Sequence, residues 1–190
     1  RYYIIAGEGK LCVMNAKTGE SRNLGNIEGV SPRLSAHSVG TGSYLLLVDG
    51  TPYWLGGDDC SLLLPYSLPV PDLTEVVSSS APNGGGLSAG HYTYAFTFTD
   101  ATGAESPPSR FFTHYLGSDL ASSVAGGVIR IAHLPQTDDP RVVSLRVYRS
   151  PALTVQSRWF QLSLHSVHTV GITILDDRIP DSDLDTSVML

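Results

Sequence analysis

The sequence predicts an all-β protein: an antiparallel β-sandwich of about seven strands, together with β-hairpins that resemble partial propeller blades. Three observations lead to this prediction. Short runs of β-branched and aromatic residues recur between clusters of Gly, Asp, Asn and Pro, and several of these runs alternate apolar and polar side chains. No 11-residue window has convincing helical spacing of apolar residues. With 42% hydrophobic and 16% charged residues, the composition is that of a globular chain rather than a disordered one.

The clearest strand is HYTYAFTFTD, in which Tyr92, Tyr94, Phe96 and Phe98 occupy every second position. This period places four rings on one face of a strand and mostly threonines on the other. Exposed rings of this kind can stack on bases or sugars, but Ala and Thr lie between these and no basic residue does. The pattern therefore favours packing in a core.

Residues 1–70 are predicted to form hairpins of the propeller-blade type. YYIIAG and LCVMNA flank the turn EGK, and SYLLLV and YWLGG flank DGT, where the Asp49-Gly50 step is a strong hairpin signal. This order of strand, glycine-containing turn and strand is typical of propeller blades, and a full propeller has about four to eight blades. The segment PYSLPVPD has three prolines and places a domain boundary near Pro69 to Asp72.

Residues 71–178 are predicted to form the sandwich, and residues 179–190 a C-terminal extension. On the predicted strand RWFQLSLH, Phe160, Leu162 and Leu164 form the apolar face. On the predicted strand VVSLRVYRS, Val143, Leu145 and Val147 share a face, with Arg149 as a possible fourth member. Seven short strands with one apolar face each are typical of a two-sheet antiparallel sandwich. The strands read TEVVSS, HYTYAFTFTD, SRFFTHY, GVIRIAH, VVSLRVYRS, RWFQLSLH and GITILDD.

Charge, apolar runs and cysteines exclude several classes of protein. A net charge of −6 repels nucleic-acid phosphates, which argues against sequence-reading DNA binding but allows an acidic wall past which DNA slides. The longest apolar run, YLLLV, is far shorter than the roughly 20 residues of a membrane helix. The start, RYYIIAGEGK, has neither a signal-peptide pattern nor an initiator Met, so the chain can begin inside a longer protein. Cys12 and Cys60 are too few for a disulfide framework and are either two buried free thiols or one bridge.

No set of side chains predicts catalysis, a cofactor site or a metal site, so we expect a protein that is not an enzyme. His165 and His168 are spaced i, i+3, which in a regular strand places them on opposite faces. The glycine-rich NGGGLSAG lacks the Lys-Ser/Thr ending of a phosphate loop and is expected to be a linker. The remaining histidines are His37, His91, His114 and His133.

Acidic and basic residues are expected to serve turns and surfaces. Neighbouring carboxylates in a strand point apart, so the pairs Asp58-Asp59, Asp138-Asp139 and Asp176-Asp177 do not face each other across a cleft as in a glycosidase. The run DSDLD at Asp181, Asp183 and Asp185 lacks the glycine and final Glu of an EF-hand, which favours turn capping over calcium binding. The arginines are expected to pair with carboxylates on solvent faces rather than form a nucleic-acid stripe; they are Arg130, Arg146, Arg149 and Arg158.

One motif suggests a family. The pattern G-x-Y-x-Y…D-x-x-G-x-E-S-x-x-S resembles fibronectin type III-like or immunoglobulin-like modules of bacteriophage tail proteins, and the closing segment ITILDDRIPDSDLDTSVML resembles the end of that module in tail nozzle proteins of short-tailed phages. In that family, also described as tail tubular or packaged-DNA-stabilising proteins, the module is inserted in or packed beside a β-propeller. The motif residues are Gly90, Tyr92, Tyr94, Asp100, Gly103, Glu105, Ser106 and Ser109.

The resemblance implies a structural virion component of the tail. It further implies copies of the chain in a ring, six by likeness to the family, with neighbouring tail and adaptor proteins as partners and packaged DNA passing without sequence-specific binding. No membrane insertion is expected. The alternative is a cell-surface or carbohydrate-binding sandwich, whose ligand would contact the loop 100–106 or Trp54; the other tryptophan, Trp159, lies in the other predicted domain.

Overall fold

The computed structural model describes residues 2–26, 33–40, 43–48, 51–56, 60, 62–117, 126–153 and 162–190. Antiparallel strands dominate this part of the chain, and its one helical element is the 3₁₀ turn Asp181–Asp183. The all-β prediction is therefore confirmed. The chain divides into two compact units, Arg1–Ser67 and Leu68–Leu190, whereas the sequence suggested a boundary near Pro69 to Asp72.

The first unit contains two antiparallel meanders. They pack on one apolar cluster, to which the first sheet contributes Leu11 and the second contributes Leu46, Val48 and Leu55. The hairpins predicted at each end of this region are present. The first sheet is β1 (Tyr2–Gly7), β2 (Lys10–Asn15) and β3 (Ser21–Asn26), and the second is β4 (Leu34–Gly40), β5 (Ser43–Val48), β6 (Thr51–Gly56) and β7 (Leu62–Pro65), each in chain order.

Both sheets of the first unit also carry apolar residues on the face turned away from that cluster. In the first sheet, Ile5 is opposite Cys12 and Tyr3 is opposite Met14, and cross-strand partners share a face. Tyr3 is 49% exposed and Ile5 is 46% exposed. In the second sheet, the outer face bears Leu45, Trp54 and Leu64, which are aligned across β5, β6 and β7.

The second unit is a sandwich of a five-stranded and a three-stranded antiparallel sheet. The larger sheet has the order β10-β9-β12-β13-β15, and the smaller one has the order β14-β11-β8. The strands are β8 (Val77–Gly85), β9 (Gly90–Asp100), β10 (Phe112–Leu116), β11 (Gly126–Ala132), β12 (Val142–Arg149), β13 (Ser163–Thr169), β14 (Ile174–Asp177) and β15 (Asp185–Met189).

This strand order corresponds to that of immunoglobulin-type sandwiches, in which one sheet reads A-B-E-D and the other C-F-G. With β8 as B, the strands β9, β11, β12 and β13 take the places of C, E, F and G. Strand β10 lies beyond C, as C′ does in variable-type domains. Strand β14 occupies the place of D beside E, although it follows G in the chain.

The four aromatic rings of β9 lie inside the sandwich. Tyr92, Tyr94, Phe96 and Phe98 are at most 1% exposed and pack against residues of the opposite sheet such as Ile129. Each such ring removes about 150–250 Å² from water, which corresponds to about 4–6 kcal/mol of gross hydrophobic stabilisation as an upper bound. The rings are therefore a core and not a binding platform.

Four predicted details need correction. The segment NGGGLSAG, predicted to be a linker, belongs to the sandwich, because β8 runs to Gly85 and Leu87 pairs with Gly127. Val143 is 46% exposed, because the pairing of β12 with β9 shifts between Val142 and Ser144 and puts Val142 inside instead. The strand predicted at TEVVSS begins only at Val77, after a turn. Residues 179–190 are part of the sandwich, since β15 pairs with β13 at the sheet edge. Most of the predicted strand RWFQLSLH, including Phe160, lies outside the described residues; β13 begins at Ser163.

A histidine joins the two sheets at the edge formed by β8 and β10. The His114 ring nitrogens Nδ1 and Nε2 lie 2.8 Å from Ser78 Oγ and 2.5 Å from Ser80 Oγ, respectively. Burial lowers the pKa of His114, so the neutral ring is favoured. A neutral imidazole both donates and accepts, which suits two hydroxyl partners.

Gly85→Ala is expected to destabilise the sandwich by about 1–3 kcal/mol. A Cβ at Gly85 would lie 2.0 Å from the carbonyl oxygen of Gly127, so relief requires two backbone segments to separate. Urea unfolding measures the loss. Gly7→Ala is the control, because a Cβ there meets nothing within 4 Å, and it should change stability by less than about 0.5 kcal/mol. Equal unfolding midpoints for the two variants would contradict this close approach of β8 and β11.

Candidate functional site

The motif that suggested a family forms β9 and the turn that follows it. Asp100 Oδ1 accepts hydrogen bonds from the backbone N–H groups of Thr102 at 2.8 Å and Ala104 at 2.9 Å. Partial burial would raise the pKa of Asp100, but these bonds outweigh it and lower the pKa. Gly103 has φ +85°, a conformation that glycine adopts without a Cβ clash. The Asp and Gly of the motif therefore shape a tight turn.

Glu105 folds back over the outer face of the larger sheet. Its carboxylate accepts hydrogen bonds from the Tyr148 hydroxyl at 2.7 Å and from Arg146 Nη1 at 3.0 Å, and a further one from the Thr97 hydroxyl. These donors come from β9 and β12. The Glu of the motif thus ties two central strands together and covers Thr97, which is fully buried.

The two motif serines supply hydrogen-bond partners to β9 at an edge where no regular strand pairs with it. Ser106 and Ser109 donate their backbone N–H groups to the carbonyl oxygens of Phe98 and Phe96, both at 2.8 Å. Their hydroxyl oxygens accept the N–H groups of the same two residues at 2.9 and 3.0 Å. The intervening Pro107 lacks an N–H, so regular pairing is impossible there. The loop 100–106, predicted as a ligand contact in the alternative function, directs these groups inward.

A charged pair lies between the two sheets. Arg149 and Asp177 are both 0% exposed, and Arg149 Nη1 lies 2.9 and 2.8 Å from the two carboxylate oxygens. The guanidinium also lies 5.1 Å from the centre of the Tyr92 ring, within cation–π range. The prediction that Arg149 pairs on a solvent face is wrong, because strand alternation turns it inward beside Val147.

Asp177 has further donors around it. The Tyr94 hydroxyl donates to Oδ2 at 2.6 Å, and His165 Nε2 lies 2.8 Å from Oδ1. Burial would raise the pKa of Asp177, but the hydrogen bond from His165 and the charge of Arg149 outweigh it and lower the pKa. Burial also raises the pKa of Tyr94 well above its usual value. The carboxylate is thus kept ionised and Tyr94 neutral.

Arg149 also holds the segment that follows β14. It donates to the Ile179 carbonyl at 2.8 Å and to Asp181 Oδ1 at 2.7 Å. Asp181 Oδ2 in turn accepts the N–H of Ala152 at 2.8 Å, and the Arg178 carbonyl accepts the N–H of Gly86 at the same distance. The segment 178–181 is therefore attached to both sheets.

A β-bulge brings the two histidines of β13 to one face, contrary to prediction. Val147 is paired with Ser166 and Tyr148 with Leu164, so one extra residue, His165, is accommodated. Ser166 Oγ lies 2.7 Å from His165 Nδ1 and 2.8 Å from His168 Nε2. The prediction that His165 and His168 lie on opposite faces assumed a regular strand, and no single residue type in the sequence marks the bulge.

Asp177, His165 and Ser166 have the connectivity of a Ser–His–Asp triad, but two features favour a structural role. In a triad the carboxylate stabilises the imidazolium that forms. Here the guanidinium of Arg149 already makes two contacts with that carboxylate. The Ser166 hydroxyl is also shared with a second ring, that of His168.

The other charged candidates mostly serve turns and strand pairs, as predicted. Arg130 pairs with Asp176 across strands and Arg146 with Glu105, while Arg141 pairs with Asp139. Asp176 and Asp177 point apart, one outward and one inward. Asp185 Oδ1 accepts the N–H of Ser187 at 3.0 Å. Asp58, Asp59, Arg158 and Trp159 lie outside the described residues.

Within the described ranges, no group of three or more His, Cys, Asp or Glu side chains is placed to hold a metal ion. Cys12 and Cys60 are not joined by a disulfide, and both are half-buried. The Trp54 ring lies against Gly56, where an added Cβ would meet it at 2.2 Å. In the part of the chain that the structure describes, no helix has the length and apolar character needed to cross a membrane.

A scan against protein-family models gives no match, and a search of curated proteins gives none either.

Arg149→Met is expected to cost about 3–5 kcal/mol of unfolding free energy, because it leaves the buried Asp177 carboxylate without its cation. The matched control is Arg130→Met. Arg130 also makes two hydrogen bonds with a carboxylate, that of the adjacent Asp176, but through two nitrogens, Nε and Nη2. Its side chain is 56% exposed, so its loss should cost at most about 1 kcal/mol. Urea unfolding of both variants measures the difference, and equal costs would contradict the assigned role of burial.

Acid is expected to destabilise the sandwich through Asp177. The folded-state pKa of this carboxyl lies below the ordinary value of about 3.9, so its contribution to stability is complete above about pH 4 and is lost as pH falls through the folded pKa. The hydrogen bonds from Arg130 lower the pKa of Asp176 to about 2, so protonation of Asp176 in acid also reduces the stability of the fold. Carbon-detected NMR of the Asp177 carboxyl should show a midpoint below 3.9, and a midpoint above it would refute the prediction.

Proposed function

We propose that the chain is a structural component of a bacteriophage tail, of the nozzle or tail-tube kind, that assembles with copies of itself into a ring around the DNA path. The sequence resemblance suggests this role. The observation that carries the proposal is that both sheets of the first unit bear large apolar residues on both faces.

An antiparallel sheet with one face in contact with solvent commonly has polar residues on that face. The first unit departs from this pattern, because Tyr3 and Ile5 lie on the outer face of one sheet and Leu45 and Leu64 lie on the outer face of the other. Sheets with two apolar faces are found where further sheets pack on them, as blades do in a propeller. Propeller-type stacking of the two meanders with further sheets accounts for these faces.

The second unit suits the role of a spacer or contact module. Asp100, Glu105, Ser106 and Ser109 all hold the scaffold together, and the Arg149–Asp177 pair attaches the C-terminal segment to it. These contacts favour a rigid body that offers its outer surfaces to neighbouring tail and adaptor proteins. In the proposed role the protein is not an enzyme.

The charge of the chain fits a conduit for DNA. A net charge of −6 repels phosphates, so DNA can move along a wall of this protein without being held. The proposed ring has six copies, by the same resemblance, and its place is the tail of the virion.

Replacing Ile5 with Asp is expected to weaken self-assembly, because it puts a charge on the apolar outer face of the first sheet. Light scattering and mass photometry of the purified chain measure the oligomeric state. Val167→Asp is the control: Val167 is 53% exposed on the sandwich and should tolerate the charge. Circular dichroism verifies that both variants are folded.

Two results would refute the ring. The first is a wild-type protein that remains a monodisperse monomer at the concentration present in virions. The second is an assembly that Ile5→Asp leaves intact while its fold is unchanged.

A further inference from the structure

Two strands that end their sheets on the same side of the sandwich are joined through one side chain. Strand β10 stands at one end of the order β10-β9-β12-β13-β15, and β8 stands at one end of the order β14-β11-β8. From β10, the His114 ring reaches across to β8, with its nitrogens 2.8 Å from Ser78 Oγ and 2.5 Å from Ser80 Oγ. We call this contact the His114 bridge.

The ionisable groups that share the interior with the His114 ring do not offer it a negative charge. Strand β9 contributes Tyr92 and Tyr94, and burial raises the pKa of both phenols, so both stay neutral. Arg149, over the Tyr92 ring, is balanced by Asp177. The other ionisable residues of β8, β9, β10, β11 and the turn before β8 are exposed, lie on an outer face or belong to the turn after β9: Asp72, Glu75, His91, Asp100, Arg130 and Tyr115.

The bridge therefore suits a neutral ring and not a charged one. A neutral imidazole has one donor and one acceptor nitrogen, so one serine hydroxyl accepts from it and the other donates to it. The imidazolium carries a charge that neither the serines nor the tyrosines neutralise. Half-burial penalises this charge and holds the pKa of His114 below its ordinary value of about 6.5.

We propose that the His114 bridge is an acid-sensitive contact that closes the edge between β8 and β10 when the ring is neutral and opens it when the ring is protonated. The ring is half-buried, so rotation of its side chain brings the charge to water and breaks both hydrogen bonds. The bridge belongs to the sandwich and does not depend on the proposed tail role.

The two edges of the sandwich respond to acid in different pH ranges. The folded-state pKa of His114 is lowered, so the contribution of the bridge to stability is complete above about pH 6.5 and is lost as the pH falls from there toward the folded-state pKa. At the other edge, the pKa of Asp177 lies below the ordinary value of about 3.9. Mild acid therefore opens the edge between β8 and β10 while the contacts of Asp177 remain.

The test is hydrogen exchange of the full chain at pH 7.5 and pH 5.5, followed by mass spectrometry and corrected for the intrinsic pH dependence of exchange. Protection of the β8 and β10 amides is expected to fall about fivefold or more at the lower pH, the effect of losing about one hydrogen bond. Strand β12, which lies between β9 and β13, is the internal reference and should keep its protection.

His114→Gln should show equal protection of β8 and β10 at the two pH values, because an amide does not titrate. The double variant Ser78→Ala, Ser80→Ala should lower protection of the same strands already at pH 7.5. His91→Gln is the matched control: His91 is on the neighbouring strand, and its ring lies 4.8 Å from that of Tyr115, so this variant should keep the wild-type response.

Three results would overturn the proposal. The first, which needs no variant, is wild-type protection of β8 and β10 that is the same at both pH values. The second is an acid-induced loss that persists in His114→Gln, and the third is a loss that His91→Gln abolishes.

Discussion

Two opposite charges, on Arg149 and Asp177, lie fully out of water between the two sheets of the sandwich, and each would cost several kcal/mol if left without its partner. This constraint fixes more than one pair of side chains. The carboxylate requires further donors, which Tyr94 and His165 provide, and the guanidinium requires further acceptors, which it finds in Ile179 and Asp181. Strands β9, β12, β13 and β14 and the segment 178–181 are thereby held in one arrangement.

The irregular features of the sandwich follow from the same need to satisfy buried polar groups. The bulge in β13 turns His165 toward Asp177, where a regular strand would place it on the outer face. At the opposite side of β9, prolines prevent regular pairing, and the hydroxyls of Ser106 and Ser109 accept the N–H groups that would otherwise be unpaired. The resemblance to tail modules therefore rests on residues with a structural task.

The two units differ in how completely they bury their apolar residues. The sandwich encloses its aromatic strand and covers even the threonine face of that strand with Glu105 and Tyr148. The meanders of the first unit keep Tyr3 and Ile5 about half exposed. Such faces favour further packing.

The sequence by itself determined the all-β class, the hairpins and the inward aromatic face of β9, because these depend on the two-residue period of a strand and on local turn chemistry. It also placed Asp176 and Asp177 on opposite faces. Only the tertiary structure decided the partner of Arg149, the common face of His165 and His168, and the exposure of Val143. These depend on bulges and on contacts between residues far apart in the chain, such as Arg149 and Asp177, which no local pattern encodes.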